Sequence, residues 1–303
     1  MIFVENVTKT FSNGKGIFDV SFTVEEGDIF GFLGPNGAGK STTIRQLMGF
    51  MKPDNGKLFI SKYDCWKDTS TIQKFVGYLP GEIALIEKMK GNDFLNMLEE
   101  MKGFRGTSRK DALIDRFQFD PSVQIRKMSK GMKQKVGIVA AFMHDPSLYI
   151  LDEPTSGLDP FMQKEFLDLL GEEQGRGKTI LMSSHYFPEV ERTCNRASII
   201  KEGKIVRTDS MRDLRSLQTK KIEVAFKDEQ EACAYADHYP DQVESRSGNR
   251  IVIPIKGTYE AFIASLQGRS VTNMEVETQT LEEVFMDIYD QNHTPSDLKG
   301  DEQ

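Results

Sequence analysis

The residues whose types and spacing carry the clearest chemistry form one glycine-rich segment, Gly34-Pro35-Asn36-Gly37-Ala38-Gly39-Lys40-Ser41-Thr42. A glycine, four further residues and then Gly-Lys-Ser is the spacing of a phosphate-binding loop, whose backbone N–H groups bind nucleotide phosphates together with the N-terminus of the next helix. We expect all nine residues to contact a nucleotide, with Lys40 at its outer phosphates and the Ser41 hydroxyl on Mg²⁺. A plain glycine turn with an exposed lysine is the alternative.

Two adjacent acids, Asp152 and Glu153, form the second candidate group. They end an apolar run that begins at Leu148, and side chains at a strand end can both turn toward a site. Asp152 fits a carboxylate that binds Mg²⁺ directly or through water, and Glu153 fits a base that orients and deprotonates an attacking water. A solvated turn before Pro154 is the alternative interpretation.

Strands and helices must hold both groups in place. The apolar run Asp28 to Leu33 predicts a buried strand before the glycine loop, and Thr43 to Met51 has the apolar spacing of a helix after it. Further strands are predicted at Ile2 to Val4, Val20 to Val24, Leu148 to Leu151, Thr179 to Met182 and Ala197 to Ile200. Strands that alternate with helices indicate an α/β fold with a mostly parallel sheet.

The rest of the chain predicts a helical insert, a second module and a tail. Helical patterns from Gly91 to about Met143 place the insert at about residues 83–143. A composition shift over Thr208 to Lys221 indicates a linker, and we expect domains at 1–210 and 211–291. The tail, residues 292–303, is polar and is expected to be disordered.

The second module is predicted to be a small α+β domain of order βαββαβ, which fits a ferredoxin-like fold. Its predicted strands are Ile222–Phe226, Val243–Arg246, Arg250–Ile255 and Val271–Glu277, and its predicted helices are Glu229–His238 and Tyr259–Leu266. A closing helix is expected over Thr280 to Tyr289, with Leu281, Val284, Phe285 and Ile288 on one side.

Composition excludes several classes of protein. The 303 residues include 39 basic and 46 acidic side chains, a net charge of −7, which is not the basic footprint of a nucleic-acid-binding protein. Three cysteines without C-x-x-C spacing indicate reduced thiols in the cytosol. The longest apolar stretch, Val136 to Met143, is far shorter than the ~20 residues of a membrane span, and the N-terminus has no signal-peptide pattern.

One local cluster of basic residues stands apart from this balance: Arg126, Lys127, Lys130, Lys133 and Lys135. We expect it to face phosphate or a partner protein, with a solvated helix face as the alternative.

Further motifs stand in a fixed order around the glycine loop and the acid pair. They are Phe11, Met128-Ser129-Lys130-Gly131-Met132, Ser156-Gly157-Leu158-Asp159 after Glu153, and His185 at the end of Ser183-Ser184-His185. Over roughly residues 1–210 this series resembles the ATP-binding cassette (ABC) ATPases. A signature segment between the glycine loop and the acid pair also separates that family from small GTPases and nucleoside kinases.

The resemblance implies a fold and a set of roles. The implied fold is α/β: a P-loop NTPase core with a mostly parallel sheet, an antiparallel β subdomain and the helical insert. Phe11 would stack on the adenine of ATP, and Glu153 and His185 would be the catalytic residues. Ser41 and Asp152 would hold Mg²⁺.

The signature segment of that family faces the nucleotide of a second cassette. Ser129 can cap the following helix, so that its hydroxyl, the Gly131 N–H and the helix dipole favour the γ-phosphate of ATP there. Since this chain has one copy of each motif, the resemblance implies a second ABC ATPase chain as partner.

Two positions depart from the family pattern. Gly81 stands where a Gln that senses the γ-phosphate through Mg²⁺ is usual, and Glu82 beside it is the candidate replacement. In the signature, Lys130 replaces a usual Gly and Met132 a usual Gln.

The function that the resemblance implies is ATP hydrolysis that powers a transporter through separate membrane permease subunits, at the cytoplasmic face of the membrane. Three segments resemble the bacterial branch that exports drugs and peptides: Tyr78-Leu79-Pro80 before Gly81, the signature Met128–Met132, and Leu281-Glu282-Glu283-Val284-Phe285. The alternatives are a soluble ABC ATPase acting on ribosomes or nucleic acid, an importer ATPase, and a regulatory nucleotide-binding module. Ile83, Leu85 and Ile86 are candidate anchors for a permease helix, with packing inside the insert as the alternative.

Overall fold

The computed structural model of the protein describes residues 1–103, 108–255 and 259–284. The chain divides into two compact units, Met1–Met211 and Arg212–Gln303. Within the described residues, no helix is both long enough and apolar enough to cross a membrane.

The first unit contains the candidate residues. Its strands are β1 (Ile2–Thr10), β2 (Gly16–Val24), β3 (Ile29–Leu33), β4 (Asn55–Ile60), β5 (Tyr63–Asp64), β6 (Val76–Leu79), β7 (Leu148–Asp152), β8 (Thr179–Ser184), β9 (Arg196–Lys201) and β10 (Lys204–Ser210). Its helices are α1 (Lys40–Leu47), α2 (Thr69–Phe75), α3 (Gly91–Lys102), α4 (Ser108–Phe117), α5 (Lys130–Phe142), α6 (Pro160–Gly175) and α7 (Phe187–Thr193).

A six-stranded sheet of order β10-β9-β3-β8-β7-β6 forms the centre of this unit. Its strands pair in parallel from β9 to β6, and β10 is antiparallel to β9. All five residues of β3 and all five of β7 are buried, as expected for parallel strands that are covered on both faces. The carboxyl ends of β3, β7 and β8 therefore lie side by side, which is where the glycine loop, the acid pair and His185 begin.

A second, antiparallel sheet of order β2-β1-β4-β5 shares its core with the central sheet and α1. Phe22 of β2 stacks on Phe30 and Phe32 of β3, with ring centroids 5.5 and 5.1 Å apart. Such contacts bury aromatic area and fix the strand that leads into the glycine loop. The predicted α/β fold class with a parallel sheet and an antiparallel subdomain is confirmed.

The insert between β6 and β7 is helical, as predicted. It contains α3, α4 and α5, with a single 3₁₀ turn at Ile125–Lys127. Leu95 of α3, Leu113 of α4 and several apolar residues of α5 are buried. Helix α5 packs against α3 and α4 and also against the central sheet, where Phe142 stacks on Tyr149 of β7, so that it joins the insert to the sheet.

The second unit is an α+β domain with a four-stranded antiparallel sheet. Its elements are α8 (Met211–Ser216, which begins at the boundary), β11 (Lys220–Phe226), α9 (Glu229–His238), β12 (Ser245–Ser247), β13 (Arg250–Ile255), α10 (Glu260–Ser265) and β14 (Val271–Thr278). The strand order is β12-β13-β11-β14, so the first strand of the βαββαβ series lies between the third and the fourth. This is the ferredoxin-like strand order.

Several local expectations differ from the structure. The strand expected at Val243–Arg246 is found at Ser245–Ser247. The helix expected from Thr43 begins at Lys40 and ends at Leu47, because glycine at 39 already provides the turn into the helix. The segment expected as a linker, Thr208 to Lys221, is largely regular structure, since it contains the end of β10, all of α8 and the start of β11. Of the predicted closing helix, residues 281–284 are helical, and Phe285, Ile288 and the tail lie outside the described residues.

Candidate functional site

The glycine loop connects β3 to α1 by a tight, left-handed path. Gly37 and Gly39 have φ angles of 81° and 113°, a region that residues with a Cβ rarely adopt. A Cβ on Gly39 would lie 2.5 Å from Ile17 Cγ2. Glycine at this position thus lets the loop turn closely over β2 and present the first N–H groups of α1 outward.

Lys40 is 5% exposed and extends back over the loop. Its ammonium donates to the carbonyl oxygens of Gly34 (2.7 Å) and Pro35 (3.2 Å). It also lies 3.1 Å from Glu153 Oε1. A buried cation needs such partners, and here they set it between the glycine loop and the candidate base.

Glu153 and His185 contact each other directly. His185 Nδ1 is 2.6 Å from Glu153 Oε2. The Glu153 backbone is left-handed, with φ 48°, and its N–H bonds to the carbonyl and the hydroxyl oxygens of Ser183 at 3.2 and 3.1 Å. A left-handed glutamate costs free energy that surrounding contacts must offset, and such backbone is typical of active sites.

Asp152 is 3% exposed, and its Oδ1 accepts a hydrogen bond from Ser183 Oγ. Within the described residues it forms no ion pair with a Lys or Arg side chain. Buried carboxylates are paired or bind metal ions, and Mg²⁺ is bound through one or two carboxylates together with phosphates. Asp152, with the Ser41 hydroxyl, therefore fits the predicted pair of Mg²⁺ ligands.

A cavity of about 330 Å³ lies over the glycine loop. It is lined by Phe11, Asn13, Lys15, Gly16, Asn36, Gly37, Gly39, Lys40, Ser41, Thr42 and Glu153. Phe11, the loop and the candidate base thus meet in one space. Gly34, Pro35 and Ala38 shape the loop from behind: the Gly34 and Pro35 carbonyls hold Lys40, and Ala38 is buried.

Ser129 and Gly131 do not line this cavity. Ser129 caps α5, and its hydroxyl oxygen accepts from the Met132 N–H at 3.2 Å. Gly131 lies so close to the Ser156–Asp159 segment that an added Cβ would be 2.8 Å from the Gly157 carbonyl oxygen. Within one chain the signature therefore packs beside the loop that follows Glu153.

The two departures from the family pattern have visible consequences. An added Cβ on Gly81 would lie 3.1 Å from Asp152 Oδ2, so the backbone of residue 81 directly borders this carboxylate. Glu82 is exposed. Lys130 does not point to the cavity, since its ammonium donates to Ser156 Oγ at 3.1 Å and its stem covers Gly157.

Some residues near the site were not predicted. The cavity is also lined by Asn13, Lys15 and Gly16. Their position in the turn directly after Phe11 is the sequence feature from which they could have been predicted. Gln134 is buried on α5 and donates to the Pro154 carbonyl oxygen at 2.6 Å. Glu189, the third residue of α7, is buried and accepts hydrogen bonds from Ser184 and Thr155.

The candidate permease anchors divide into two kinds. Ile83 packs against α5, where a Cβ on Gly137 would be 2.6 Å from Ile83 Cδ1. Leu85 is half-buried and Ile86 is 46% exposed. The packing alternative thus describes Ile83, and Ile86 is the most accessible of the three.

The chain is similar to known proteins along most of its length. A family model described as ABC transporter matches residues 17–156. The linearmycin resistance ATP-binding protein LnrL of Bacillus subtilis is 34% identical over 219 residues, which cover 71% of this chain and 70% of that protein. The bacitracin transport ATP-binding protein BcrA of Bacillus licheniformis is 32% identical over 239 residues, 78% of each chain.

A solved structure described as the ATP binding subunit of an ABC transporter superposes with a TM-score of 0.65. It is 31% identical in sequence and covers 71% of this chain and 92% of its own. Sequence and fold therefore agree on one family.

Proposed function

The chain belongs to the ATP-binding cassette (ABC) transporter family and is an ATPase, and from this premise we propose that it powers export of a drug, a peptide or a similar amphipathic substrate through separate permease subunits. The observation that carries the ATPase site is the contact of Glu153 with both Lys40 and His185 at the edge of the glycine-loop cavity. Support for export comes from the relatives whose names state linearmycin resistance and bacitracin transport.

In the proposed mechanism the glycine loop binds the phosphates of ATP through its backbone N–H groups and the N-terminus of α1. The outer phosphates offer Lys40 a second anion, and a shift of its ammonium toward them releases Glu153 Oε1. Mg²⁺ held by Ser41 and Asp152 would neutralise phosphate charge.

Glu153 is the proposed general base. Its Oε2 is oriented by the His185 Nδ1–H, so that the other oxygen can accept the proton of an attacking water. His185 is exposed on its outer side (53% of the side chain), where we place its contact with the γ-phosphate. Phe11, which lines the same cavity, supplies an aromatic face for adenine.

The proposed partners are a second ABC ATPase chain and integral membrane permeases. The capped α5 N-terminus, with Ser129 and Gly131, is a fitting anion site that this chain's own cavity does not use. Ile86 and its half-buried neighbour Leu85 would contact a permease helix, which would hold the subunit at the cytoplasmic face of the membrane.

Glu153→Gln in the full chain tests the ATPase site. The amide cannot take the proton of water, so we expect ATP to bind with unchanged affinity while its hydrolysis falls by ~10²–10⁴-fold. Glu26→Gln, at an exposed acid before β3, is the matched control and should leave both quantities unchanged. Turnover by the Glu153→Gln protein at the wild-type rate would exclude Glu153 as the base.

The export proposal has a separate test in cells. Membranes that express the chain with a tag should yield an integral membrane permease on purification. Cells carrying Glu153→Gln in place of the wild-type gene should become more sensitive to amphipathic antimicrobial compounds. Copurification with ribosomes instead, or a growth defect relieved only by adding a nutrient, would contradict export.

A further inference from the structure

Glu189 is a buried acid that none of the motifs includes. It lies on α7 and is 5% exposed, and burial is the main cause that raises the pKa of its carboxyl above the ordinary value. Acids are rarely buried to this extent unless hydrogen bonds or ions compensate. The hydrogen bonds that compensate the burial of Glu189 therefore show which parts of the chain it joins.

One oxygen of Glu189 joins two loops. Its Oε2 accepts a hydrogen bond from Ser184 Oγ at 2.9 Å and another from Thr155 Oγ1 at 3.1 Å. Its other oxygen, Oε1, is buried and receives no hydrogen bond from the described residues. The carboxyl thus places both of its hydrogen bonds on one atom, at the junction of the two loops.

The two loops are those that carry the proposed catalytic groups. Ser184 is the residue immediately before His185, and Thr155 comes two residues after Glu153. Ser184 Oγ also accepts the N–H of Tyr186 at 3.0 Å, so that the turn around His185 is fixed on both sides. The Glu189 carboxyl thus links the two loops through one oxygen atom.

We propose that Glu189 is a positioning residue, which holds the Glu153 and His185 loops at the separation that hydrolysis needs without itself touching the nucleotide. This inference rests on the proposed function, because it assigns Glu189 to the hydrolytic step. Glu153 has a left-handed backbone that neighbouring contacts must hold, and the Glu153–His185 contact of 2.6 Å leaves little freedom for either loop. Misplacement of a catalytic group by about 1 Å can cost ~10²-fold in rate.

Two substitutions at Glu189 test the role in the full-length protein. Glu189→Ala should lower kcat for ATP by ~10–100-fold, with the Kd for ATP unchanged within about twofold. Glu189→Gln keeps an uncharged oxygen that accepts both hydroxyls and should retain at least about half of kcat. Glu26→Ala, at an exposed position, is the control for a Glu-to-Ala change.

A second pair of variants removes one donor and leaves Glu189 in place. Thr155→Val keeps the side-chain shape but loses the hydroxyl, and it should lower kcat in the same direction as Glu189→Ala. Thr155→Ser keeps the hydroxyl and should hydrolyse ATP at the wild-type rate. A melting curve shows whether Glu189→Ala folds. If it does not, the two Thr155 variants test the positioning role instead.

Wild-type kcat in Glu189→Ala, or equal rates in Thr155→Val and Thr155→Ser, would overturn the positioning role. An equal loss of ATP affinity and kcat in Glu189→Ala would also overturn it, since that indicates a general structural role. If Glu153→Gln is inactive while Glu189→Ala is fully active, only this inference fails. If Glu153→Gln remains active, the proposed ATPase site itself is wrong, whatever the result for Glu189→Ala.

Discussion

The glycine-loop cavity and the signature segment Met128–Met132 differ in how much of their chemistry one chain completes. In the cavity, Lys40 and Glu153 are held by contacts within the chain and already face the same space. In the signature, Ser129 caps its own helix, and Lys130 is bound to the neighbouring Ser156 loop. The cavity groups are thus assembled around one space, whereas the signature residues Ser129 and Lys130 bond to their own helix and the neighbouring loop.

The two regions therefore differ in whether a single chain is sufficient. The glycine loop and Glu153 follow strand ends that meet at one edge of the central sheet, and Phe11 comes from the turn between β1 and β2, so that the fold alone brings them together. Ser129 and Gly131 of the signature do not line the cavity of their own chain, so they cannot contact a nucleotide bound there. Binding of nucleotide should therefore depend on the first region alone, while hydrolysis should depend on both.

Lys40→Ala should produce the largest effect on the assembled region. Loss of a buried ammonium that binds phosphate removes charge-assisted hydrogen bonds and leaves Glu153 without its cation. We expect the Kd for ATP to rise by ~10²-fold, measured by titration with a fluorescent ATP analogue.

Lys57→Ala, at an exposed lysine of β4, should leave the Kd unchanged. Equal affinity of the Lys40→Ala and wild-type proteins would show that the glycine loop is not the nucleotide site.

Mixing two inactive variants tests whether the signature of one chain completes the nucleotide site of another. In a Lys40→Ala and Ser129→Ala heterodimer, one of the two shared sites has both an intact lysine and an intact signature. A random 1:1 mixture should therefore recover up to about a quarter of the wild-type rate if the two sites act independently. The measurement is ATP turnover of the mixture against each variant alone at the same total protein concentration.

An activity of the mixture equal to the mean of the separate variants would mean that each site is complete within one chain. Ser129→Ala also removes a helix cap, which costs about 1 kcal/mol, so its melting temperature is compared with that of wild type.

The sequence was most informative where function requires a fixed spacing of residues along the chain. The glycine loop and the β7 acids could be predicted because their strand, turn and helix are consecutive, and burial on both sheet faces leaves a continuous apolar run before each. The second-unit helix Glu229–His238 and strand Arg250–Ile255 were predicted with the bounds that the structure has, since turn residues flank them clearly.

Contacts between distant segments were beyond the reach of the sequence. Glu189 follows His185 by four residues, but its hydrogen bond to Thr155 spans 34 positions and depends on how β7 and β8 pair. The composition of residues 208–221 indicates a linker, and the six residues of helix α8 are too few to show a helical period against it. The contact of Gly81 with Asp152 likewise results from strand pairing and has no local signature.

Gly81→Ala is the smallest of the expected effects, and it tests whether the loop at residue 81 influences the assembled region. The new Cβ would be 3.1 Å from Asp152 Oδ2 and 3.2 Å from its Cγ, so the carboxylate must move by a few tenths of an ångström. A shift that small should raise the Mg²⁺ concentration for half-maximal ATP hydrolysis by about two- to fivefold, because Asp152 is a proposed Mg²⁺ ligand. Gly171→Ala on α6 is the matched control, since its Cβ would meet nothing within 4 Å. In that helix interior alanine should stabilise the fold by about 1 kcal/mol without changing the Mg²⁺ dependence. The same Mg²⁺ dependence in both variants would separate the residue 81 loop from the metal site, even where Gly81→Ala alone lowers the melting temperature.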